Sequence, residues 1–294
     1  MKFANCLSVL LSFAGCAFGA AIARDETAAE DIRAIYLFKD VMVSDTTALQ
    51  TSGFNTVLMF GVGFLENGDI MYYSNTAGSS DVLVASNGAY VGGTALAQKV
   101  LSLKSAPGTG INRVEITSNS IHLKELMASP GPGSDTRLYR NLAALKEAWN
   151  LDGYNNNDEA IYDLASTVTF AKMVGEIGLH FTIVPYTRAS FWASVKSQVG
   201  DLLDRVYLQC YDGGAGNNPA SWESTLGIKI VPLIWVTNDS KPVYGTTPAQ
   251  ARTRFAGWEA QSSLAGGGYW NDYDIEKMGL SYTEYGQVLK DLFP

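Results

Sequence analysis

Short apolar runs with strand-like composition, bounded by turn residues, are separated by longer stretches whose apolar positions recur with a helical repeat. The strand signals fall at Ile32–Phe38, Thr56–Phe60, Arg113–Thr117, Leu151–Tyr154, His180–Val184, Arg205–Leu208, Ile228–Ile234 and Gly268–Trp270. Helical patterns lie between and after them, at Asp135–Trp149, Ala160–Ile177, Phe191–Leu203, Pro248–Gln261 and Tyr282–Leu292. Pro248 sits where a first helical turn tolerates proline, behind the capping candidates Thr246 and Thr247. Strands that alternate with helices read as successive βα units around a buried parallel sheet. The count of eight predicts an α/β fold, a (β/α)₈ TIM barrel in a single domain. An open doubly wound sheet is the alternative, but no Gly-rich phosphate fingerprint follows the first strand.

The first residues change the picture of where the barrel begins. Lys2 precedes the apolar run Leu7 to Phe18, and small residues follow at Ala17, Gly19 and Ala20. This is the pattern of an export signal, too short to span a bilayer. Residues 1–23 are read as a signal peptide with cleavage at about 19–23, and residues 24–294 as the barrel. Cys6 and Cys16 would leave with the signal, so Cys210 would stand alone and no internal disulfide would form. The mature protein is expected to be secreted, extracellular and monomeric, without a membrane anchor.

A formal net charge of −8 without a basic run argues against nucleic acid and anionic membranes as partners. Fifteen Tyr, twelve Phe and six Trp supply apolar faces with polar rims, which suit sugar rings. In a barrel the residues just past each strand gather at one mouth. Here they are Asp40, Gly61, Asn155 to Glu159, Tyr186 and Arg188, Tyr211 and Asp212, Trp235, and Trp270 with Asp272. Carboxylates, amides and aromatics in one place point to a carbohydrate ligand.

The fourth strand carries the sharpest motif, Asp152-Gly153-Tyr154-Asn155-Asn156-Asn157-Asp158-Glu159. It resembles the Asp-Gly-x-Asp-x-Asp-x-Glu signature of the family 18 glycoside hydrolases, the chitinases and endo-N-acetylglucosaminidases. Asp152, Gly153 and Glu159 match, while Asn155 and Asn157 stand where that pattern has aspartate. Tyr207-Leu208-Gln209-Cys210-Tyr211-Asp212 looks like the family's sixth strand, and Gly267-Gly268-Tyr269-Trp270 like its eighth. The chain is also similar to a secreted microbial branch of that superfamily often labelled for a coagulation factor 5/8 type domain. One departure is the third strand, where Glu115-Ile116-Thr117-Ser118-Asn119-Ser120 lacks the Ser-x-Gly-Gly turn of the family.

The resemblance implies substrate-assisted, retaining hydrolysis of N-acetylglucosamine-containing glycans. In that reading Glu159 is the acid/base, Asn157 and Tyr211 position the acetamido group, and Trp270 is the sugar platform. Asn155, Asp158, Tyr186, Arg188, Gln209, Asp212 and Trp235 complete the expected substrate contacts. A neutral Asn157 would weaken the chemistry, because charge-assisted hydrogen bonds are roughly twice as strong as neutral ones. The rival reading is a glycan-binding or inhibitory protein on the same barrel.

Other residues carry plainer readings. Asn155-Asn156-Asn157-Asp158 also suits turn and cap chemistry, with Asn157 or Asp158 capping a helix from Ala160. Arg188 is a candidate to pair with Asp212 or Glu159. His122 and His180 lack the spacing of metal ligands, and neither a metal nor a cofactor is expected. Cys210 reads as a small wall hydrophobe. Asn238-Asp239-Ser240 is an N-glycosylation sequon near the mouth, of the kind a secretory eukaryote uses.

Overall fold

In the computed structural model, which describes residues 30–294, eight parallel strands close into a barrel. The proposed signal segment and the residues at its cleavage points lie outside the described residues. The barrel strands are β1 (Ile32–Leu37), β2 (Thr56–Met59), β7 (Arg113–Ser118), β8 (Gly153–Asn156), β9 (His180–Ile183), β10 (Leu203–Gln209), β11 (Ile230–Val236) and β13 (Gly266–Trp270). Each pairs in parallel with the next, and β1 meets β13 to close the ring. At that seam Gly266 has φ +140°, and a Cβ there would stand 2.0 Å from the carbonyl oxygen of Ile32. Only glycine brings the last strand this close to the first.

The remaining strands lie outside the ring. β3 (Val62–Phe64), β4 (Ile70–Tyr72), β5 (Val82–Ser86) and β6 (Ala89–Tyr90) form an antiparallel sheet inserted after β2, which the hydrophobic pattern did not predict. β12 (Gly245–Thr246) adds a short parallel pairing to β11. The inserted sheet packs on the helix Arg137–Trp149, with Tyr72 and Tyr90 edge-on to Trp149 at 5.9 and 6.3 Å. Burying these rings is what holds a sheet of such short strands.

Strand alternation sorts the side chains. On β8, Tyr154 faces outward against Phe170 and Phe181, whereas Asn155 faces into the barrel. The interior is polar toward its N-terminal end. Glu115, fully buried, accepts hydrogen bonds from Arg113 (2.7 Å), Tyr207 (2.8 Å) and Thr182 (2.5 Å). Arg113 also pairs with Asp204 at 2.8 Å. Gly153 leaves room for this cluster, since a Cβ there would lie 3.0 Å from Cγ of Glu115. The paired charges answer one another, so the cluster can stay buried.

Most boundaries shift by one to four residues from the sequence reading, and two of the shifts bear on the site. The fourth barrel strand begins two residues later than predicted, because Asp152 serves as an anchor before it. Its carboxylate accepts from Val114 N at 2.8 Å and from Lys104 Nζ at 2.7 Å. The following helix starts at Leu164 rather than Ala160, capped by Asp163, whose side chain accepts from Ser166 N at 3.0 Å.

Candidate active site

The mouth is shaped by residues that continue the inward-facing rows of the strands. Trp270, at the end of β13, stands among Tyr36, Phe38 and Phe60, with ring centroids at 5.0, 5.3 and 5.0 Å. Tyr211, just past β10, lies nearly parallel to Trp270 at 6.4 Å and meets Trp235 edge-on at 5.7 Å. Trp235 is itself fixed by its indole N–H, which donates to Asp274 at 2.7 Å. A cavity of about 290 Å³ is enclosed by Tyr36, Phe60, Asn157, Glu159, Val184, Gln209, Tyr211, Asp212, Trp235 and Trp270. Tyr36, Phe60 and Val184 were not among the predicted contacts. The alternation of β1 carried a signal for Tyr36, which falls in the same row as Ala34 and Phe38.

The polar side of this cavity is organised by one amide. Gln209 Nε2 reaches Glu159 Oε1 at 3.2 Å and Asn157 Oδ1 at 3.4 Å, and is held by the carbonyl of Val184 at 3.0 Å. Glu159 is solvent-exposed, so its carboxyl is open to a ligand. The Tyr211 ring is buried, and its hydroxyl hydrogen-bonds to no group among the described residues. Burial, and then the charge of Glu159, push the Tyr211 hydroxyl well above the usual tyrosine range, so it remains a donor. A hydroxyl without a protein partner on the wall of a cavity is free to hydrogen-bond a ligand there.

The other predicted residues separate into those near this cavity and those away from it. Asn155 is fully buried beneath it; its Oδ1 accepts from Tyr36 (2.7 Å) and Thr117 (3.2 Å), while its Nδ2 donates to Thr182 (2.9 Å). It supports Tyr36 rather than facing the cavity. Asp158 organises the turn: Oδ1 accepts from the N–H groups of Ala160 and Ile161, and Oδ2 from that of Tyr162. The turn-chemistry reading of this residue is therefore right, though no helix begins there. Arg188 stacks on the Tyr162 ring at 4.3 Å instead of pairing with Glu159 or Asp212. Asp212 pairs with Lys241. Tyr186 packs over Gly213, and its carbonyl accepts from Asn217 at 2.9 Å. Neither Tyr186 nor Arg188 lines the cavity.

Beside the central cavity lies a second, of about 410 Å³, which shares Phe60, Asn157 and Glu159 with it. Its far wall is Gly61, Val62, Tyr73 and Asn75 from the inserted sheet, facing Asn119 to Ile121 after β7. The result is a groove that passes over Glu159. The rim of the mouth is tied down at Asp272, which is fully buried and accepts from Phe38 N, Lys39 N and Ser44 Oγ at 2.6, 3.0 and 2.8 Å. Burial pushes its carboxyl up to about 7.

Asn238 does not present an open acceptor. It is 3% exposed, its Nδ2 donates to Val236 O at 3.2 Å, and its Oδ1 accepts from Lys241 N at 2.7 Å. A glycan on Nδ2 would displace this loop. Cys210 is buried as predicted, and burial pushes its thiol up to about 12.

No family model matches the sequence, and no curated protein matches it. Solved structures do match in fold. A fungal endo-β-N-acetylglucosaminidase of glycosyl hydrolase family 18 superposes with a TM-score of 0.62 at 12% identity, covering 88% of this chain and 98% of that one. The group IV chitinase of Ostrinia furnacalis gives 0.64 at 9% identity, over 90% of this chain and 100% of that chain. The class V chitinase of Nicotiana tobaccum in complex with NAG4 gives 0.57 at 10% identity, over 88% and 99%. The barrel therefore has the fold of the family 18 glycoside hydrolases.

Proposed function

We propose that this protein is a secreted glycoside hydrolase acting on N-acetylglucosamine-containing glycans, with its acid/base at Glu159. The observation that carries the reading is the meeting of Glu159, Asn157, Gln209, Tyr211 and Trp270 around one cavity. The named ligands and activities of the fold's relatives, NAG4 among them, agree with it.

The chemistry follows from the groups present. A sugar ring resting on Trp270 would have its acetamido group beside Asn157 and Tyr211. Tyr211 donates its hydroxyl hydrogen to the acetamido carbonyl oxygen, and Asn157 Oδ1 accepts the acetamido N–H. Glu159 gives its proton to the glycosidic oxygen as the acetamido oxygen attacks the anomeric carbon, so the aglycone leaves as an alcohol and a cyclic oxazolinium remains. Glu159, now a carboxylate, takes a proton from water as that water opens the ring, which returns both groups to their starting states. The weak link is Asn157, a neutral amide where an anion would offset the oxazolinium charge.

That same amide favours a second reading, a glycan-binding or inhibitory protein with little or no turnover. Hydrolysis of chitin oligomers or N-glycans by the purified protein, abolished by Glu159→Gln with binding retained, supports the enzyme. Binding without turnover at any pH supports the second reading. Secretion has its own test: protein recovered from the medium should begin near Ala20 or Arg24, and a start at Met1 contradicts it.

A further inference from the structure

Tyr211 has a second side. Opposite the central cavity it lines another, of about 570 Å³, together with Cys210, Ala215, Val243, Tyr244, Gly245, Thr246, Gln250, Thr253 and Arg254. Arg254 is the unusual member. Arg33, Arg113, Arg137, Arg205 and Arg252 each meet a carboxylate within ion-pair distance, and Arg140 and Arg188, which do not, are exposed to solvent. Arg254 is half-buried, yet no carboxylate among the described residues pairs with it. Its guanidinium lies 4.8 Å over the Trp258 ring and gives one hydrogen bond, to the carbonyl of Cys210 at 2.9 Å. A guanidinium has five N–H donors in a planar fork. Burial lowers its affinity for its proton, as expected of a cation whose countercharge is missing.

We propose that this cavity is a second binding site, for a carboxylate-bearing sugar or a similar small organic acid, with Arg254 as its anion partner. The planar fork matches a carboxylate in two hydrogen bonds. A singly charged group suits a protein of net charge −8 better than a multiply charged one, because the long-range field opposes each added negative charge. The rest of the lining offers what a sugar ring needs. Tyr244 and Val243 present apolar surface, Val243 being 84% exposed, and Gln250 and Thr253 bring amide and hydroxyl groups. The site stands on its own geometry and does not depend on hydrolysis at Glu159.

The test compares glucuronate with glucose, the same ring without the carboxylate, by calorimetric titration at low salt. Glucuronate should bind at least about tenfold more tightly, taking one charge-assisted contact as the difference. Its binding should weaken by about the same factor in Arg254→Gln, weaken with added salt, and survive in Trp270→Ala. Ala215→Phe, which adds bulk to the cavity wall and leaves Arg254 in place, should weaken it too and guards against a fold defect in Arg254→Gln. Chitotetraose measured in parallel reports on the central cavity and should bind Arg254→Gln normally. Equal glucuronate binding to wild type and a folded Arg254→Gln overturns the proposal, as does no glucuronate binding at all. Loss of glucuronate binding in Trp270→Ala alone would overturn it too, by moving the acid to the central cavity.

Discussion

At the N-terminal end of the barrel interior Glu115 is fully buried and takes hydrogen bonds from Arg113, Tyr207 and Thr182, whereas at the mouth Glu159 is exposed and has one donor, Gln209. Both carboxylates come from inward-facing rows of neighbouring strands. The lower one has no free face, so its charge serves the fold. The upper one keeps lone pairs for a ligand, and the nearby Tyr211 hydroxyl is without a protein partner as well. Polar groups that the fold leaves unpartnered are where binding free energy is available. Asp272 is the intermediate case, buried near the mouth yet fully occupied with holding the loop that carries Phe38.

The contrast breaks first if Glu115 proves dispensable. Glu115→Ala leaves the Arg113 charge with only Asp204 and should destabilise the fold by about 3–5 kcal/mol in urea unfolding. A loss below about 1 kcal/mol would contradict the account of the lower cluster.

Asp272 gives the next largest effect. Its folded carboxyl titrates at about 7, through burial first, against an unfolded value of 3.8. Between those values the folded chain holds a proton that the unfolded chain lacks, so this group's contribution is complete below about pH 4 and is lost as pH rises through 7. Asp272→Asn should remove that dependence. The wild type should therefore lose on the order of 3 kcal/mol relative to the variant from pH 4 to pH 8. Parallel stability curves for the two proteins would show that burial does not govern this group.

Two smaller effects sharpen the picture of the mouth. Trp270→Ala should weaken chitotetraose binding by about 10- to 100-fold, because the ring that forms the floor of the cavity is gone. Retained affinity would place the sugar elsewhere. Glu159→Gln should leave unfolding free energy within about 0.5 kcal/mol of wild type, as expected for an exposed group with one hydrogen bond. A drop comparable to that of Glu115→Ala would erase the distinction between the two ends.

The barrel was legible because its strands are short apolar runs, buried along their whole length, and the segments between them carry the longer helical repeat. The inserted sheet was not, because β3 to β6 are two to five residues long and broken by Asn, Gly and Ser turns. Their stability comes from packing on Trp149, a partner distant in sequence. The extension of β8 past Tyr154 has a similar cause: Asn155 and Asn156 have poor strand propensity and are held there by partners inside the fold. For the site, the structure places Glu159, Asn157, Tyr211, Asp212, Trp235 and Trp270, which the mouth rule gathered, around one cavity, with Gln209 of the sixth-strand motif beside them. It did not distinguish residues that face the cavity from those, like Asn155 and Asp158, whose polar atoms are already satisfied. That distinction lies in three-dimensional hydrogen bonding and leaves no pattern in the sequence.

The central claim is that the mouth retains the parts of a substrate-assisted hydrolase with one neutral amide in the place of an anion. It is tested most directly by turnover of an N-acetylated oligosaccharide by Asn157→Asp beside the wild type, across pH. The rate should rise about 10- to 1000-fold, equivalent to about 1.4–4 kcal/mol for one electrostatic contact. The gain should vanish on a substrate without the acetamido group. The optimum should move to higher pH, because a second carboxylate on the Gln209 amide disfavours loss of the Glu159 proton. An unchanged or lower rate, on a substrate the wild type binds, would contradict the claim and leave a barrel that holds glycans without cutting them.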